Sequence, residues 1–120
     1  MLGLIIVLRT FIRALRVAMR DVEFQTLALT VTVQLAVGTL FYHVAEGWRW
    51  LDSLYFCVIT LATVGYGDFS PRTDMGKLFT MFYIVLGIGL VVSLVTKLAQ
   101  AIVTARREEG GRLGERLRRR

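Results

Sequence analysis

The sequence predicts an all-α membrane protein in which two membrane-crossing helices flank a short re-entrant helix and a loop. Residues 24–42 and 78–96 carry no charge, and each stretch approaches the about 20 helical residues that cross a hydrocarbon core. A third apolar stretch, 53–62, lies between them and is too short to cross. The 120-residue chain is 55% hydrophobic with a mean hydropathy of +0.58, which is too apolar for an ordinary soluble domain.

Residues 1–22 predict an amphipathic helix that lies along the inner membrane surface. Basic residues recur there at spacings of four, three and four, which places them on one helical face and leaves apolar residues on the others. A voltage sensor is the alternative, but it needs basic residues at every third position inside a bundle of further spans. The basic residues of this face are Arg9, Arg13, Arg16 and Arg20.

The first span, expected at 24–42, is the outer helix and carries one strongly polar side chain near its middle. Gln34 there needs a hydrogen-bonding partner or a helix interface. Beyond the span we expect an aromatic belt at the outer surface, formed by Tyr42, Trp48 and Trp50. His43 beside them is either a pH sensor or, more commonly for such a position, a solvated interfacial histidine.

The re-entrant helix is expected at 53–62, about three turns long, with Asp52 and Ser53 as N-cap residues. Its C-terminal end carries the partial negative charge of the helix dipole and delivers the chain to the next loop. A cation in front of this helix end is therefore favoured.

The loop at 63–68 reads Thr-Val-Gly-Tyr-Gly-Asp. Gly65 and Gly67 tolerate positive φ and alternate with ordinary residues, so consecutive carbonyls can turn to one side of an extended strand. Four such strands around an axis would stack rings of carbonyls, and these rings, with the Thr63 hydroxyl, can replace the water shell of a monovalent cation.

The second span belongs to an inner helix expected at 75–105, after a turn at the single proline and with Asp74 as its cap. Gly87 near its middle either serves as a hinge where the helix bends or permits close helix packing. Residues 106–120 are expected to be a basic cytoplasmic tail, either a frayed helix or disordered.

The formal net charge of +6 is concentrated at the two ends of the chain. The positive-inside rule then predicts a multi-pass protein of the cell membrane with both termini in the cytoplasm and the 63–68 loop outside. We expect anionic lipids, and not nucleic acid, to be the partners of the basic ends. The single Cys57 excludes an intramolecular disulfide, and no nucleophile elbow or Cys/His zinc cluster points to an enzyme.

TVGYGD is the selectivity-filter signature of potassium channels. The run 23–99 resembles bacterial two-transmembrane-helix potassium channels and is most similar to the NaK channel family. The resemblance is carried by VEFQTL, GTLFY, EGWRWLDSLYF, FSPRTD and GKLFTMFYIVLGIGLV. The chain departs from that family at Tyr66 and Asp68, where NaK has an acidic residue and an asparagine.

The resemblance implies a homotetramer that conducts K⁺ passively and needs no cofactor. The filter residues would be Thr63, Val64, Gly65, Tyr66 and Gly67, and the carbonyls of the first four would bind K⁺. A weakly selective cation channel and a non-conducting scaffold subunit are the alternatives.

The resemblance also implies residues that support and gate the filter. Tyr55 on the pore helix would hydrogen-bond Asp68, and Gly87 falls at the gating hinge. Ala62 and Ile59 stand where many relatives have polar residues, so the network behind the filter is expected to be thin. Candidate pore-lining residues, chosen by helical spacing, are Val92, Val95, Thr96 and Ala99.

Overall fold

In a computed structural model that describes all 120 residues, the protein is helical throughout and has no strand. Four helices follow one another along the chain: α1 (Leu2–Ala18), α2 (Val22–Glu46), α3 (Trp50–Leu61) and α4 (Asp74–Arg118). By length and composition α2 and α4 can each cross a membrane, whereas α3 is shorter. The predicted all-α fold class with two spans and a short helix between them is confirmed.

The helices α2, α3 and α4 extend beyond their expected bounds at one end or both, whereas α1 is shorter than the expected 1–22. The pore helix α3 begins at Trp50 because Arg49, with extended backbone, is its N-cap. Neither Asp52 nor Ser53 caps it, so that expectation was wrong: the Ser53 hydroxyl lies inside the first turn and donates to the Arg49 carbonyl at 2.9 Å.

The helix α4 does not end near residue 105 but continues to Arg118. Its last turns contain Gly110, Gly111 and Gly114, each of which costs a helix about 1 kcal/mol relative to alanine. The neighbouring residues are mostly Arg, Glu and Leu, which favour helix, and Arg119 pairs with Glu115 at 2.9 Å across one turn. The segment is therefore helical, and the disordered alternative is not observed.

The chain divides into two compact units, one formed by residues 27–93 and the other by residues 1–26 together with 94–120. The first unit has an aromatic core centred on Tyr42, which is 0% exposed. Trp48 stacks on it at 5.5 Å, and Phe56 meets it edge-on at 4.8 Å. The expectation that Tyr42 belongs to an outer aromatic belt was thus wrong, because its ring is buried within the fold; Trp48 is partly exposed and Trp50 is 55% exposed, so their place in such a belt stays a prediction.

Polar side chains tie α2 to α4 within this first unit. The Gln34 amide donates to the Tyr83 carbonyl at 3.1 Å, and the Tyr83 phenol donates back to the Gln34 carbonyl at 3.2 Å. Closer to the start of α4, the hydroxyls of Tyr42 and Thr80 lie 2.6 Å apart. The predicted need of Gln34 for a helix interface is met by this reciprocal pair.

In the second unit, α1 packs along the C-terminal half of α4. Ala14, Ala18 and Ala101 are buried there, so small side chains let the helices approach closely. Arg13 pairs with Glu109, while Lys97 pairs with Asp21 and Glu23. These partners run in opposite directions along the two helices, so α1 is antiparallel to this part of α4. The apolar side chains of α1 that face away from α4, including Phe11, Ile12 and Leu15, are exposed.

Candidate functional site

The site begins where α3 ends and the 63–68 loop leaves it. The Ala62 amide donates to the Val58 carbonyl at 2.9 Å, which closes the last helical turn. The next two free amides, of Val64 and Gly65, both donate to the Ile59 carbonyl, at 2.9 and 3.1 Å. One helix-end carbonyl therefore anchors two consecutive peptide units of the loop.

These two hydrogen bonds determine where the loop carbonyls point. Every peptide bond of the chain is trans, so each carbonyl points away from the amide of its own peptide unit. Since the Val64 and Gly65 amides face α3, the carbonyls of Thr63 and Val64 face away from it. Two of the four carbonyls expected to bind an ion thus lie on the side of the strand opposite the pore helix.

The backbone dihedral angles extend this order along the loop. Thr63, Gly65 and Gly67 have φ of 60°, 53° and 79°, whereas Val64 and Tyr66 between them do not have positive φ. An alternation of left- and right-handed residues aligns successive peptide units, with amides on one side and carbonyls on the other. The sequence predicted positive φ at the two glycines but not at Thr63.

The conformation of Thr63 is strained. A β-branched residue with positive φ is a steric outlier, and such a conformation costs about 1–3 kcal/mol. The surrounding bonds hold it there: the Thr63 amide donates to the Thr60 carbonyl at 3.0 Å, and the next two amides are held by Ile59. In this strained conformation the Thr63 carbonyl faces the same side of the strand as the Val64 carbonyl.

A single chain leaves the filter loop open. Val64 is 51% exposed and Tyr66 is 72% exposed, although both are large and apolar or aromatic. One strand supplies only one column of carbonyls, which cannot surround an ion. Exposed apolar side chains beside an incomplete ligand set are typical of an interface between copies of a chain.

Behind the loop, the structure brings Tyr55 and Asp68 together. The Tyr55 phenol faces the Asp68 carboxylate, and Phe69 packs edge-on against the Tyr55 ring at 6.2 Å. Desolvation, together with the neighbouring Asp68 carboxylate, raises the pKa of the Tyr55 phenol, so the phenol keeps its proton. Ile59 is buried and, like Ala62, offers no polar side chain behind the filter.

The segment that follows the loop is held by Glu46, the last residue of α2, in an arrangement that we call the Glu46 clamp. Its carboxylate accepts the Arg72 amide at 3.0 Å and the Thr73 amide at 3.2 Å. Thr73 in turn caps α4, because its hydroxyl accepts the Gly76 amide at 3.0 Å. The expectation that Asp74 caps this helix was wrong, since Asp74 is already its first helical residue.

Gly87 is buried in α4, and the structure shows what its missing side chain permits. A Cβ at this position would collide with the Leu61 side chain and lie 2.8 Å from the Gln34 amide nitrogen. The packing interpretation of Gly87 therefore has direct support, and the hinge interpretation stays a prediction. At Gly89 a Cβ would meet nothing within 4 Å.

The expected pore-lining residues lie on α4 beyond Gly87. All four side chains are exposed in the single chain, and positions three, four and seven residues apart share one helical face. Their role in lining a pore stays a prediction. These residues are Val92, Val95, Thr96 and Ala99.

Comparison with known proteins identifies the family. A family model described as "Ion channel" matches residues 29–104, which is more than half of the chain. The chain belongs to this ion channel family. It is accordingly grouped with channels and not with enzymes.

Two curated relatives of this channel are named as potassium channels. "Probable potassium channel protein 2" of Methanocaldococcus jannaschii is 40% identical over 85 residues, which cover 71% of this chain and 24% of the relative. "Two pore potassium channel a" of Oryza sativa subsp. japonica is 39% identical over 88 residues, which cover 68% of this chain and 25% of the relative. The channel thus spans about a quarter of these relatives' length, 24% and 25%.

Two solved structures similar to the channel carry other names. One is described as a calcium-activated cation channel from Tsukamurella paurometabola; it is 34% identical with a TM-score of 0.66, covering 75% of this chain and 88% of that chain. The other is named a calcium activated non-selective cation channel; it is 35% identical with a TM-score of 0.65, covering 76% of this chain and 89% of that chain. The names of the relatives thus divide between potassium channels and calcium-activated cation channels, one of them non-selective.

Sequence reasoning missed three features of the site. The Ile59 carbonyl accepts two backbone amides, and this depends on backbone geometry. The side chain of Ile59 indicated only that a polar group was absent. The Glu46 clamp joins residues 26 and 27 positions apart, which no local pattern reveals. The positive φ of Thr63 contradicts its residue type. Only Glu46 left a signal, as the one acidic residue at the end of an apolar span.

Proposed function

We propose that this channel conducts K⁺ selectively and passively, as a homotetramer whose four 63–68 loops surround one axis. The observation that carries the proposal is the alternation of backbone handedness from Thr63 to Gly67, with two amides held on the Ile59 carbonyl. Together they support a one-sided column of carbonyls. The names of the two curated relatives agree with potassium as the ion.

Conduction would proceed by exchange of water for protein oxygens. A K⁺ ion sheds its hydration shell while the carbonyls of Thr63, Val64, Gly65 and Tyr66 from four chains replace it, and the Thr63 hydroxyls close the innermost site. The C-terminal end of α3 points its partial negative charge toward the ion. Adjacent sites exchange ions by mutual repulsion, and no cofactor takes part.

The Tyr55–Asp68 bond, in this proposal, restrains the back of the filter. Because Ile59 and Ala62 are apolar, Tyr55 is the residue of α3 whose side chain would hydrogen-bond the loop. Gly87 serves as the hinge of the inner helix, and the exposed residues beyond it line the pore. Both termini lie in the cytoplasm, where the arginines of α1 and of the C-terminal turns meet anionic lipid.

A weakly selective cation channel is the second candidate. It is favoured by the name of the solved structure that is 35% identical to this chain. The two candidates differ in whether the four rings stay ordered when Na⁺ replaces K⁺. The Tyr55–Asp68 bond and the anchored amides support the ordered, selective alternative.

The deciding experiment measures ion flux into vesicles reconstituted with the purified protein. We expect uptake of K⁺ with little uptake of Na⁺, and loss of this preference in Tyr66→Asp, which introduces the acidic residue found in NaK. Equal K⁺ and Na⁺ uptake by the unmodified protein would leave a cation channel and reject selectivity. A monomer or dimer that passes neither ion would support a non-conducting scaffold instead.

A further inference from the structure

Gln34 is a polar side chain inside an apolar span, and the filter does not use it. Its Nε2 lies 3.1 Å from the Tyr83 carbonyl of α4. In an α-helix the carbonyl of residue 83 is also the acceptor for the amide of residue 87. Gln34 therefore adds a second donor to the one helical hydrogen bond that ends at Gly87.

The Gln34 amide also lies close to Gly87. A Cβ on Gly87 would lie 2.8 Å from the Gln34 Nε2, so the absence of a side chain there lets the amide reach the helix backbone. A donor that enters the ladder of a helix in this way is one recognised cause of a bend. The bond and the glycine form one local arrangement.

Bending a helix inside a membrane frees a carbonyl in a medium that cannot hydrate it. When α4 bends at Gly87, the Tyr83 carbonyl loses its helical partner, and an unpaired backbone group in hydrocarbon is costly. Helices tolerate glycine bends in membranes when a neighbouring helix supplies a replacement partner. Gln34 of α2 is already bonded to that carbonyl in the straight helix.

The surroundings leave room for such a bend. An open cavity of about 690 Å³ lies between α2 and α4 beside this pair, and Gln34, Tyr83, Leu86 and Gly89 are among its lining residues. Gly89, two residues beyond Gly87, has nothing within 4 Å of where a Cβ would stand. Within the single chain, no packed side chain opposes a shift of the helix at Gly89.

We propose that Gln34 is a positioning residue for gating: it keeps the Tyr83 carbonyl hydrogen-bonded when α4 bends at Gly87, and so lowers the cost of the bent, open state. The inference rests on the proposed channel function and hinge. It differs from a purely structural tie, because a structural tie would stabilise the fold without changing the balance between straight and bent α4.

The test replaces Gln34 by methionine, which has nearly the same length and shape but no donor. Single-channel recordings should show the ratio of open to closed time falling about threefold for each chain that bends, as expected from an average interhelical hydrogen bond in a membrane. The ratio of K⁺ to Na⁺ permeability should not change. Thr32→Val is the matched control, because it removes a polar group from α2 whose hydroxyl bonds only its own helix, to the Ala28 carbonyl at 2.8 Å.

A second readout does not depend on conduction. Solid-state NMR in lipid bilayers, with glutamine side chains labelled with ¹⁵N and tyrosine carbonyls with ¹³C, should detect the Gln34–Tyr83 contact in both the straight and the bent populations of the Gly87 amide signal. Gln34→Met should deplete the bent population. If Gln34→Met does not assemble, Gln34→Asn, whose amide is one methylene too short, serves in its place.

The outcomes separate the two proposals. Open times and a bent population that do not change in Gln34→Met, or that increase, would overturn the role of Gln34, because the amide would then be neutral or would hold α4 straight. A protein that passes no ion but loses its bent population in Gln34→Met would overturn the channel function and retain this role.

Discussion

Replacing Glu46 should loosen the exit of the filter loop by an amount that can be worked from its hydrogen bonds. The carboxylate accepts two backbone amides, of Arg72 and Thr73, and Gly76 leaves space for it because a Cβ there would collide with the carboxylate oxygen. Hydrogen bonds to a charged group contribute about 1.5–3 kcal/mol when buried. Glu46 is half-buried, and water can replace part of each bond. We therefore take the lower end, about 1.5 kcal/mol.

Backbone amide hydrogen exchange measures this loss where it occurs. In Glu46→Ala the amides of Arg72 and Thr73 should exchange about tenfold faster, since 1.4 kcal/mol is about a factor of ten in the opening equilibrium. Glu46→Gln should lie between, because one of its two polar atoms can still accept. Asp74→Asn is the matched control, a neighbouring carboxylate in the first turn of α4 that makes no bond to these amides. Exchange rates at both amides that stay at the wild-type value in Glu46→Ala would refute the clamp.

Two further predictions concern the supports of the filter and the inner helix. Gly87→Ala should lower the stability of the assembled protein by about 1–3 kcal/mol, because its Cβ collides with Leu61, whereas Gly89→Ala, whose Cβ meets nothing, should raise it by about 0.5–1 kcal/mol, because alanine favours helix over glycine; equal effects of the two would contradict the packing assigned to Gly87. Asp68→Asn should lower the pKa of the Tyr55 phenol part of the way toward its usual value, because the carboxylate is lost while desolvation remains. The neutral phenol stabilises the fold below its ordinary pKa of about 10, and this contribution is lost as the pH rises through the raised value. Phenolate absorbance, taken as the difference from Tyr55→Phe, follows the titration, and an unchanged midpoint in Asp68→Asn would exclude their interaction.

The parts of the fold that the sequence predicted are those set by composition and period. Two charge-free stretches predicted α2 and the first part of α4, because a helix is the backbone structure that satisfies its own polar groups in lipid. Their ends were less predictable. Asp52, Ser53 and Asp74 are residue types that often cap helices. The N-cap is nevertheless the residue at which the incoming backbone becomes helical, and these residues are Arg49 and Thr73.

The same distinction applies to the site. Gly65 and Gly67 could be recognised from sequence because glycine is the residue that adopts positive φ without strain. The positive φ of Thr63 could not be recognised from sequence. It is held by backbone hydrogen bonds to the Thr60 and Ile59 carbonyls, and these do not depend on side-chain type. The position of Tyr42 was misjudged for a related reason: it has the amphipathic character of a belt residue, and only tertiary packing shows that its ring is buried and stacks on Trp48.

Polar side chains of α2 and α4 hold the first part of α4 in place. Within residues 27–93, α2 is tied to α4 or to the turn before it at three levels, and the partners run in opposite order along the two helices, as they must for antiparallel spans. Each tie lies on the N-terminal side of Gly87 in α4, so the stretch of α4 that follows the 63–68 loop is fixed while the helix at Gly87 is packed only by side chains. A bend there breaks one backbone hydrogen bond but leaves the ties of Glu46 and Tyr42 intact, and Gln34 holds the carbonyl that the bend would free. The three ties are Glu46 with Thr73, Tyr42 with Thr80, and Gln34 with Tyr83.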